Sequence, residues 1–191
     1  MDKKEMVIET ARNLFTEYGY KKVSMDELAR KSGVTKKTIY TYFKDKDSIF
    51  KYFIDEELNH MKNYIEKVEK SNKSFIEQLT EAIYELLDYR KNSKFFNQLA
   101  NEIKQDSKEK INSFMKLYDD EIISYIEEKI TKEINEEKIK KCDAHLSAFI
   151  LYKLLLSIMF EYDGKINEKK VASEVLTILE EGLLNKKEDE A

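Results

Sequence analysis

Hydrophobic residues recur every three or four positions along most of the chain, which is the spacing of one face of an α-helix. In the first predicted helix, residues 3–18, they form a single stripe of Val7, Ala11, Leu14, Phe15 and Tyr18. Gly19 follows, where a helix often ends on a left-handed residue. Sustained alternation of apolar and polar residues, which would predict strands, is missing from the sequence. The pattern therefore predicts an all-α fold.

The same spacing predicts eight further helices, and the helices are separated where the hydrophobic spacing is interrupted. Two short helices occupy about residues 24–43. A long helix runs from about 46 to 70, and polar residues at 71–74 end it. The remaining helices are expected at about 74–91, 95–103, 108–130, 143–162 and 168–185.

The segment at residues 24–35 carries the start and corner signals of a helix-turn-helix. Ser24 and Glu27 have the spacing of a capping box, in which each side chain satisfies a backbone N–H at the helix start. Gly33 stands where the corner requires a residue that adopts positive φ without strain. Thr35 is placed to cap the second helix. We therefore expect two short helices joined by a tight turn.

The second short helix, about residues 36–43, has one side suited to packing and one suited to contact with DNA. Ile39 and Phe43 lie four apart and face the first helix. Lys37 and Thr41 then point away from that core, where Lys can donate to guanine and Thr can meet a base edge in the major groove. Neighbouring side chains can reach phosphates. The predicted DNA contacts are Ser24, Thr35, Lys36, Lys37, Thr38, Tyr40, Thr41, Tyr42 and Lys46.

Lys46 is predicted to contact DNA for a separate reason. A cation is disfavoured in the first turn of a helix, because the helix start is positive. A nearby phosphate would explain Lys46, since helix starts bind anions. An ordinary solvated lysine is the alternative.

These residues together resemble the DNA-binding domain of tetracycline-repressor-type (TetR family) transcriptional regulators. The resemblance covers about the first quarter of the chain and rests on fixed spacing of Gly-Val-Thr at 33–35, Ile-Tyr at 39–40, Phe43 and Lys46. It implies a dimeric DNA-binding protein with an inducer pocket in the body of the chain. It also implies the phosphate contact of Lys46.

Composition and charge agree with this interpretation. The 191 residues include no Pro and only four Gly, which favours long uninterrupted helices. The net charge is −4, but residues 1–50 hold eleven Lys or Arg against eight Asp or Glu. The first fifty residues are therefore basic and the remainder is acidic. This distribution concentrates an attractive field for DNA near the predicted reading helix.

We expect two domains, a helix-turn-helix DNA-binding domain at residues 1–46 and a larger helical bundle at 47–191, linked by the long helix. The second domain is assigned to ligand binding and dimerisation. Residues 143–162 are apolar on nearly every side, so the helix there must be covered on all sides. We therefore predict a two-fold homodimer in which helices 143–162 and 168–185 of both chains form a four-helix bundle. The two reading helices would then lie about 34–36 Å apart, one turn of the duplex.

A pocket for a small-molecule effector is expected among the aromatic residues of the body. Pockets between helices are mostly apolar with a few orienting polar groups, which tyrosines supply. At helical spacing each aromatic residue is also an ordinary candidate for the core. The predicted ligand contacts are Tyr84, Phe96, Tyr118, Tyr125, Phe149 and Tyr152.

Several classes of function lack support in the sequence. Cys142 and His145 are three apart, but a zinc site requires about four ligands and the sequence holds no other Cys. Neither a catalytic motif nor a Gly-rich phosphate loop is present, so we predict no enzyme activity, cofactor or metal. Apolar runs are too short to span a bilayer, and a single Cys fits the cytoplasm.

Two hypotheses remain. The first is a ligand-responsive transcriptional regulator, a repressor that binds a palindromic operator as a dimer and is released by a small molecule. The alternative is a helical protein-interaction module whose basic head docks on an acidic partner. The acidic body and the modest charge of the head leave room for the second.

Overall fold

The computed structural model describes residues 2–103, 108–162 and 167–180, and within these ranges it contains nine helices and no strand. The helices are α1 (Lys3–Lys22), α2 (Met25–Ser32), α3 (Lys36–Tyr42), α4 (Lys46–Glu69), α5 (Phe75–Asn92), α6 (Lys94–Ile103), α7 (Lys108–Asn135), α8 (Ala144–Phe160) and α9 (Glu168–Glu180). The all-α prediction is confirmed. The predicted end of the last helix near residue 185 lies outside the described residues.

The first three helices form a compact head. Val7, Ala11, Leu14 and Phe15 are buried as the stripe of α1 predicts. Tyr18, predicted to complete the stripe, is instead 36% exposed. Gly19, with φ of 80° and ψ of 170°, interrupts the helix after Tyr18, and Tyr20 beyond the break is buried in the core. Gly19 has the expected positive φ, but its ψ is extended rather than left-handed helical.

The corner between α2 and α3 forms as the sequence predicts. Gly33 ends α2 with φ 70° and ψ 17°, and the Thr35 hydroxyl accepts the Thr38 N–H at 3.2 Å. The Ser24 hydroxyl accepts the Glu27 N–H at 3.2 Å, which is the first half of the expected capping box. The Glu27 carboxylate lies 3.8 Å from the Lys31 ammonium.

Helix α4 joins the head to the body. It begins at an Asp45–Ser48 capping box and runs for 24 residues. Its buried residues face both α1 and α5, so the helix belongs to both parts. The linking role stays a prediction, although α4 contacts both α1 and α5.

One hydrophobic core extends through both parts of the molecule. Phe15 of α1 packs against Phe50 and Phe53 of α4, with ring centroids 5.3 and 6.0 Å apart. Phe50 in turn lies 5.7 Å from Phe95 of α6 and 5.3 Å from Phe114 of α7. The division into domains at residue 46 stays a prediction, because the packed rings cross it.

Helix α8 is the most apolar element of the body. Ala148, Tyr152, Met159 and Phe160 are buried between α8 and its neighbours. Large apolar residues are exposed elsewhere on α8 and on α9: Leu146, Phe149 and Ile150 on α8, and Ile178 and Leu179 on α9. Within the described residues, the helices are too short or too polar to cross a membrane.

Candidate nucleic-acid interface

Helix α3 is held to the head by two apolar side chains. Ile39 is fully buried, and Phe43, which ends the helix, is 8% exposed and packs edge-on against Tyr52 at 5.9 Å between centroids. Ile39 lies in the same cluster as Leu28 of α2. The two pegs are four residues apart, so they fix which side of α3 turns outward.

The outward side of α3 carries most of the predicted DNA contacts. Exposed residues are Thr35, Lys36, Lys37, Tyr40, Thr41 and Tyr42. Lys37 makes no hydrogen bond or ion pair with the rest of the described chain, so its ammonium is available to a ligand. Lys36 pairs with the exposed Asp26 carboxylate at 2.6 Å.

The hydroxyl groups near α3 are partly engaged in local bonds. The Thr38 and Thr35 hydroxyls lie 3.0 Å apart, and Thr38 is half-buried. The Thr41 hydroxyl donates to the Thr38 carbonyl. Ser24 is exposed at the start of α2, beside the same surface. The predicted roles of these residues towards DNA stay predictions.

Lys46 occupies a different environment from either alternative considered above. Its ammonium donates to the Tyr20 and Val23 carbonyls at 2.9 and 3.0 Å and lies 4.2 Å from the centre of the Tyr20 ring. Burial lowers the pKa of Lys46, although nearby Asp47 and Glu102 oppose that shift. Lys46 therefore binds carbonyls at the end of α1 and just after it. A phosphate contact of Lys46 stays a prediction.

Two contacts between head and body were not visible in the sequence. The Glu57 carboxylate, 4% exposed on α4, accepts from the Arg12 guanidinium at 3.1 Å and the Tyr89 hydroxyl at 2.7 Å. The Glu102 carboxylate of α6 accepts the backbone N–H groups of Tyr20 and Lys21. Both acids lie on otherwise apolar helix faces, which is the one signal that could have marked them.

The six predicted ligand contacts do not converge on one site. Tyr84 lines an open groove of about 340 Å³ between α5 and α9, whereas Phe96 is buried in the core, 5.5 Å from Phe160 between ring centroids. Phe149 is exposed on α8. The other three have hydroxyls bonded to acids: Tyr118 to Asp55, Tyr125 to Glu69 at 2.6 Å, and Tyr152 to Asp119 at 2.7 Å.

Those hydroxyl–carboxylate bonds change the chemistry of the tyrosines. Burial, together with the Asp119 hydrogen bond, raises the pKa of Tyr152 well above its ordinary value. Burial and the Glu69 bond do the same for the pKa of Tyr125. Both tyrosines are therefore neutral hydrogen-bond donors near neutral pH, tied to α7 and α4. Their assignment to an effector stays a prediction.

Arg90 of α5 has one buried side-chain nitrogen with no partner among the described residues. It continues the buried stripe of α5 at the spacing set by Ile83, Leu86 and Leu87. Its Nε atom is buried without a hydrogen-bond acceptor among the described residues, and burial lowers the pKa of the guanidinium. A buried donor without a partner is costly, which makes the half-buried Arg90 a candidate for ligand contact.

The described residues contain no cluster of three or more potential metal ligands. Cys142 is exposed, and the ring of His145 lies 2.8 Å from the Glu127 carboxylate. That hydrogen bond raises the pKa of His145.

A short helix pinned at a glycine corner, with an exposed Lys, Thr and Tyr face, defines a helix-turn-helix DNA-binding protein. Residues 7–53 match the family model for bacterial regulatory proteins of the tetR family. The chain is also 30% identical over 163 residues to the uncharacterized HTH-type transcriptional regulator YhgD of Bacillus subtilis (strain 168), covering 85% of each chain. The protein belongs to the TetR family of transcriptional regulators.

Solved structures agree over the whole fold. A Clostridium perfringens candidate regulator of fatty acid metabolism is 26% identical, with a TM-score of 0.69, and the match covers 95% of this chain and 100% of the other. The transcriptional regulator FadR of Bacillus subtilis, in complex with stearoyl-CoA, is 21% identical, with a TM-score of 0.69 and the same coverage. The matches confirm the DNA-binding prediction and do not favour the protein-interaction module.

Proposed function

We propose that this protein is a ligand-responsive repressor that binds a palindromic operator as a homodimer and is released by a small molecule. The observation that carries the proposal is the outward face of α3. Ile39 and Phe43 anchor the helix, and Lys37, Tyr40 and Thr41 are exposed beside each other. The protein acts by binding rather than catalysis, on chromosomal DNA in the cytoplasm.

The proposed contacts divide into two kinds. Lys37 and Thr41 read base edges in the major groove, where Lys donates to guanine and Thr meets a thymine methyl or a base edge. Tyr40, Tyr42 and Lys36 reach phosphates, which fix the register of the helix without carrying sequence information. Ser24, Thr35 and Thr38 support the phosphate contacts from the two helix starts.

The proposed dimer covers the exposed apolar face of α8 and α9. Ile150 is 53% exposed, and Leu146 and Phe149 beside it are also exposed, which is unfavourable for a face of this size in water. A second copy related by a two-fold axis would cover the same residues on both chains. The dimer would also double the number of base contacts. One seven-residue helix alone makes too few base contacts for high affinity.

The effector is proposed to combine an apolar chain with an anionic group. Arg90 supports the anionic part, because an acid bound beside it gains charge-assisted hydrogen bonds that the described residues do not supply. The neighbours connected with fatty acids, one of them bound to stearoyl-CoA, support a ligand of this chemistry.

The DNA part of the proposal is tested by anisotropy with DNA from upstream of the gene itself. Lys37→Ala is expected to bind the operator more weakly while its affinity for unrelated duplexes changes little. Tyr40→Phe is expected to weaken binding to all sequences and Lys62→Ala, a change of an exposed α4 lysine, to leave binding unchanged. Equal operator affinity for wild type and both α3 variants would overturn the assignment.

The effector part is tested separately by the release of bound operator. Stearoyl-CoA and free stearate are the probes. Arg90→Met is expected to need about tenfold more of the active probe, the worth of one charge-assisted bond. Lys91→Met, a neighbouring cation that pairs with Glu168 at 3.1 Å, is expected to respond like wild type. Release by neither probe would reject an acyl effector.

A further inference from the structure

The last residues of α1, after its break at Gly19, are held by the body of the protein from one side. Glu102 of α6, 7% exposed, directs its carboxylate at two successive backbone N–H groups, those of Tyr20 at 2.8 Å and Lys21 at 3.2 Å. These residues are about eighty positions away in the sequence. A buried carboxylate that accepts two N–H groups is fixed in both position and orientation.

The same corner is held from the other side by α4. The Lys46 ammonium donates to the Tyr20 and Val23 carbonyls. Glu102 therefore binds the N–H groups, and Lys46 the carbonyl groups, of one short segment. The Tyr20 hydroxyl also donates to Asp47, which pairs with Lys110 of α7 at 2.6 Å. Helices α4, α6 and α7 therefore converge on residues 20–23, at the end of α1 and the start of its link to α2.

Gly19 is the residue that lets Glu102 approach. A Cβ added at Gly19 would stand 2.6 Å from the Glu102 carboxyl carbon and 2.7 Å from Gln98 Nε2. The positive φ of Gly19 also turns the Tyr20 and Lys21 N–H groups towards α6. Gly19 and Glu102 thus form one built contact rather than an incidental one.

We infer that Glu102 is a positioning residue that sets the orientation of the head, helices α1–α3, relative to the body. Glu102 does not touch DNA, and it acts through its hydrogen bonds to the backbone of Tyr20 and Lys21. In the dimer that the proposed function requires, the body fixes the distance between the two chains. The Glu102 contact then fixes the direction and separation of the two α3 helices, and so the half-site spacing that the dimer accepts.

The test compares operators with the natural half-site spacing and with one base pair inserted. Wild type is expected to prefer the natural spacing strongly. Glu102→Gln keeps the shape of the side chain but presents one amide oxygen and an N–H₂ group to two N–H donors. It is expected to reduce the spacing preference at least about tenfold. Affinity for a duplex with a single half-site, which needs no fixed separation, is expected to stay within about twofold.

Glu109→Gln is the matched control, since it removes an exposed carboxylate from α7, and its spacing preference is expected to equal that of wild type. Glu102→Asp keeps the charge and shortens the side chain, so it replaces Glu102→Gln if that variant fails to fold. The spacing preference of Glu102→Asp is expected to fall between those of wild type and Glu102→Gln. An undiminished spacing preference in the folded Glu102 variant would overturn the inference while leaving the repressor assignment intact. Wild type that binds no palindrome would instead overturn the proposed function.

Discussion

Replacing Arg12 with Met should destabilise the contact between the head and the body. Arg12 of α1 donates to the Glu57 carboxylate at 3.1 Å and to the half-exposed Glu56 carboxylate at 2.5 Å. Glu57 keeps two neutral donors, the Tyr89 hydroxyl at 2.7 Å and the Ser93 hydroxyl at 3.3 Å. The Arg12 guanidinium also lies over the Phe53 ring, 4.7 Å from its centre. Met keeps only an apolar stem, so the variant loses this cation–π contact as well as the charge opposite a buried acid.

The size of the effect follows from the burial of the two partners. Removing one member of a fully buried ion pair costs about 3–5 kcal/mol. The Arg12 side chain is 35% exposed, so water screens part of the attraction, and the two neutral donors remain for Glu57. We expect the free energy of unfolding to fall by about 2 kcal/mol. The Glu56 contact adds little, because both of its partners are about one-third exposed.

Urea unfolding at a fixed protein concentration measures the change, because the stability of a dimer depends on concentration. Lys73→Met is the matched control: it breaks an exposed pair with Glu81 and should cost about 0.5 kcal/mol or less. Adding Glu57→Gln to Arg12→Met should recover part of the loss, since the unpaired charge is then gone. Equal destabilisation by the Arg12 and Lys73 variants would refute the reasoning.

Three further predictions concern the reading helix, the dimer and one histidine. Lys37→Ala should reduce discrimination between the operator and single-base variants by about 1–3 kcal/mol, measured by competition anisotropy, whereas Lys36→Ala should mainly flatten the salt dependence. Ile150→Glu should convert the proposed dimer to a monomer of 22.8 kDa in sedimentation, whereas Leu117→Glu, a change of a still more exposed residue on α7, should not. His145 should titrate in NMR above its ordinary pKa because of the Glu127 hydrogen bond, and Glu127→Gln should lower the midpoint. The stabilising effect of that pair is present below the unfolded pKa of His145 and is lost as the pH rises through the raised folded value.

The helices and their caps could be predicted because their signals are local. Gly33 and the Thr35 cap act within four residues, and the structure confirms both of them. The buried pegs of α3 follow from a spacing of four in the same way. The burial of Tyr20 could not be predicted, because Gly19 interrupts the helix before it with an extended ψ that no local pattern specifies.

The contacts that join the head to the body could not be predicted from the sequence. Glu102 bonds to residues about eighty positions away, and Lys46 bonds to carbonyls more than twenty positions before it. Which helix packs beside which decides these contacts, and periodicity is silent on that choice. Helix pairing also decides where the six aromatic residues proposed for a ligand lie. Tyr152 lies against Asp119 and Phe96 lies in the core because of the helix pairing.

Protection of guanine N7 from methylation on the bound operator tests the central claim most directly, because N7 lies in the major groove. With wild type we expect protected guanines in two half-sites separated by about one turn of the duplex, and Lys37→Ala should lose protection at the guanine it contacts. Tight binding with every major-groove N7 still reactive would contradict the assignment of α3 as the reading helix.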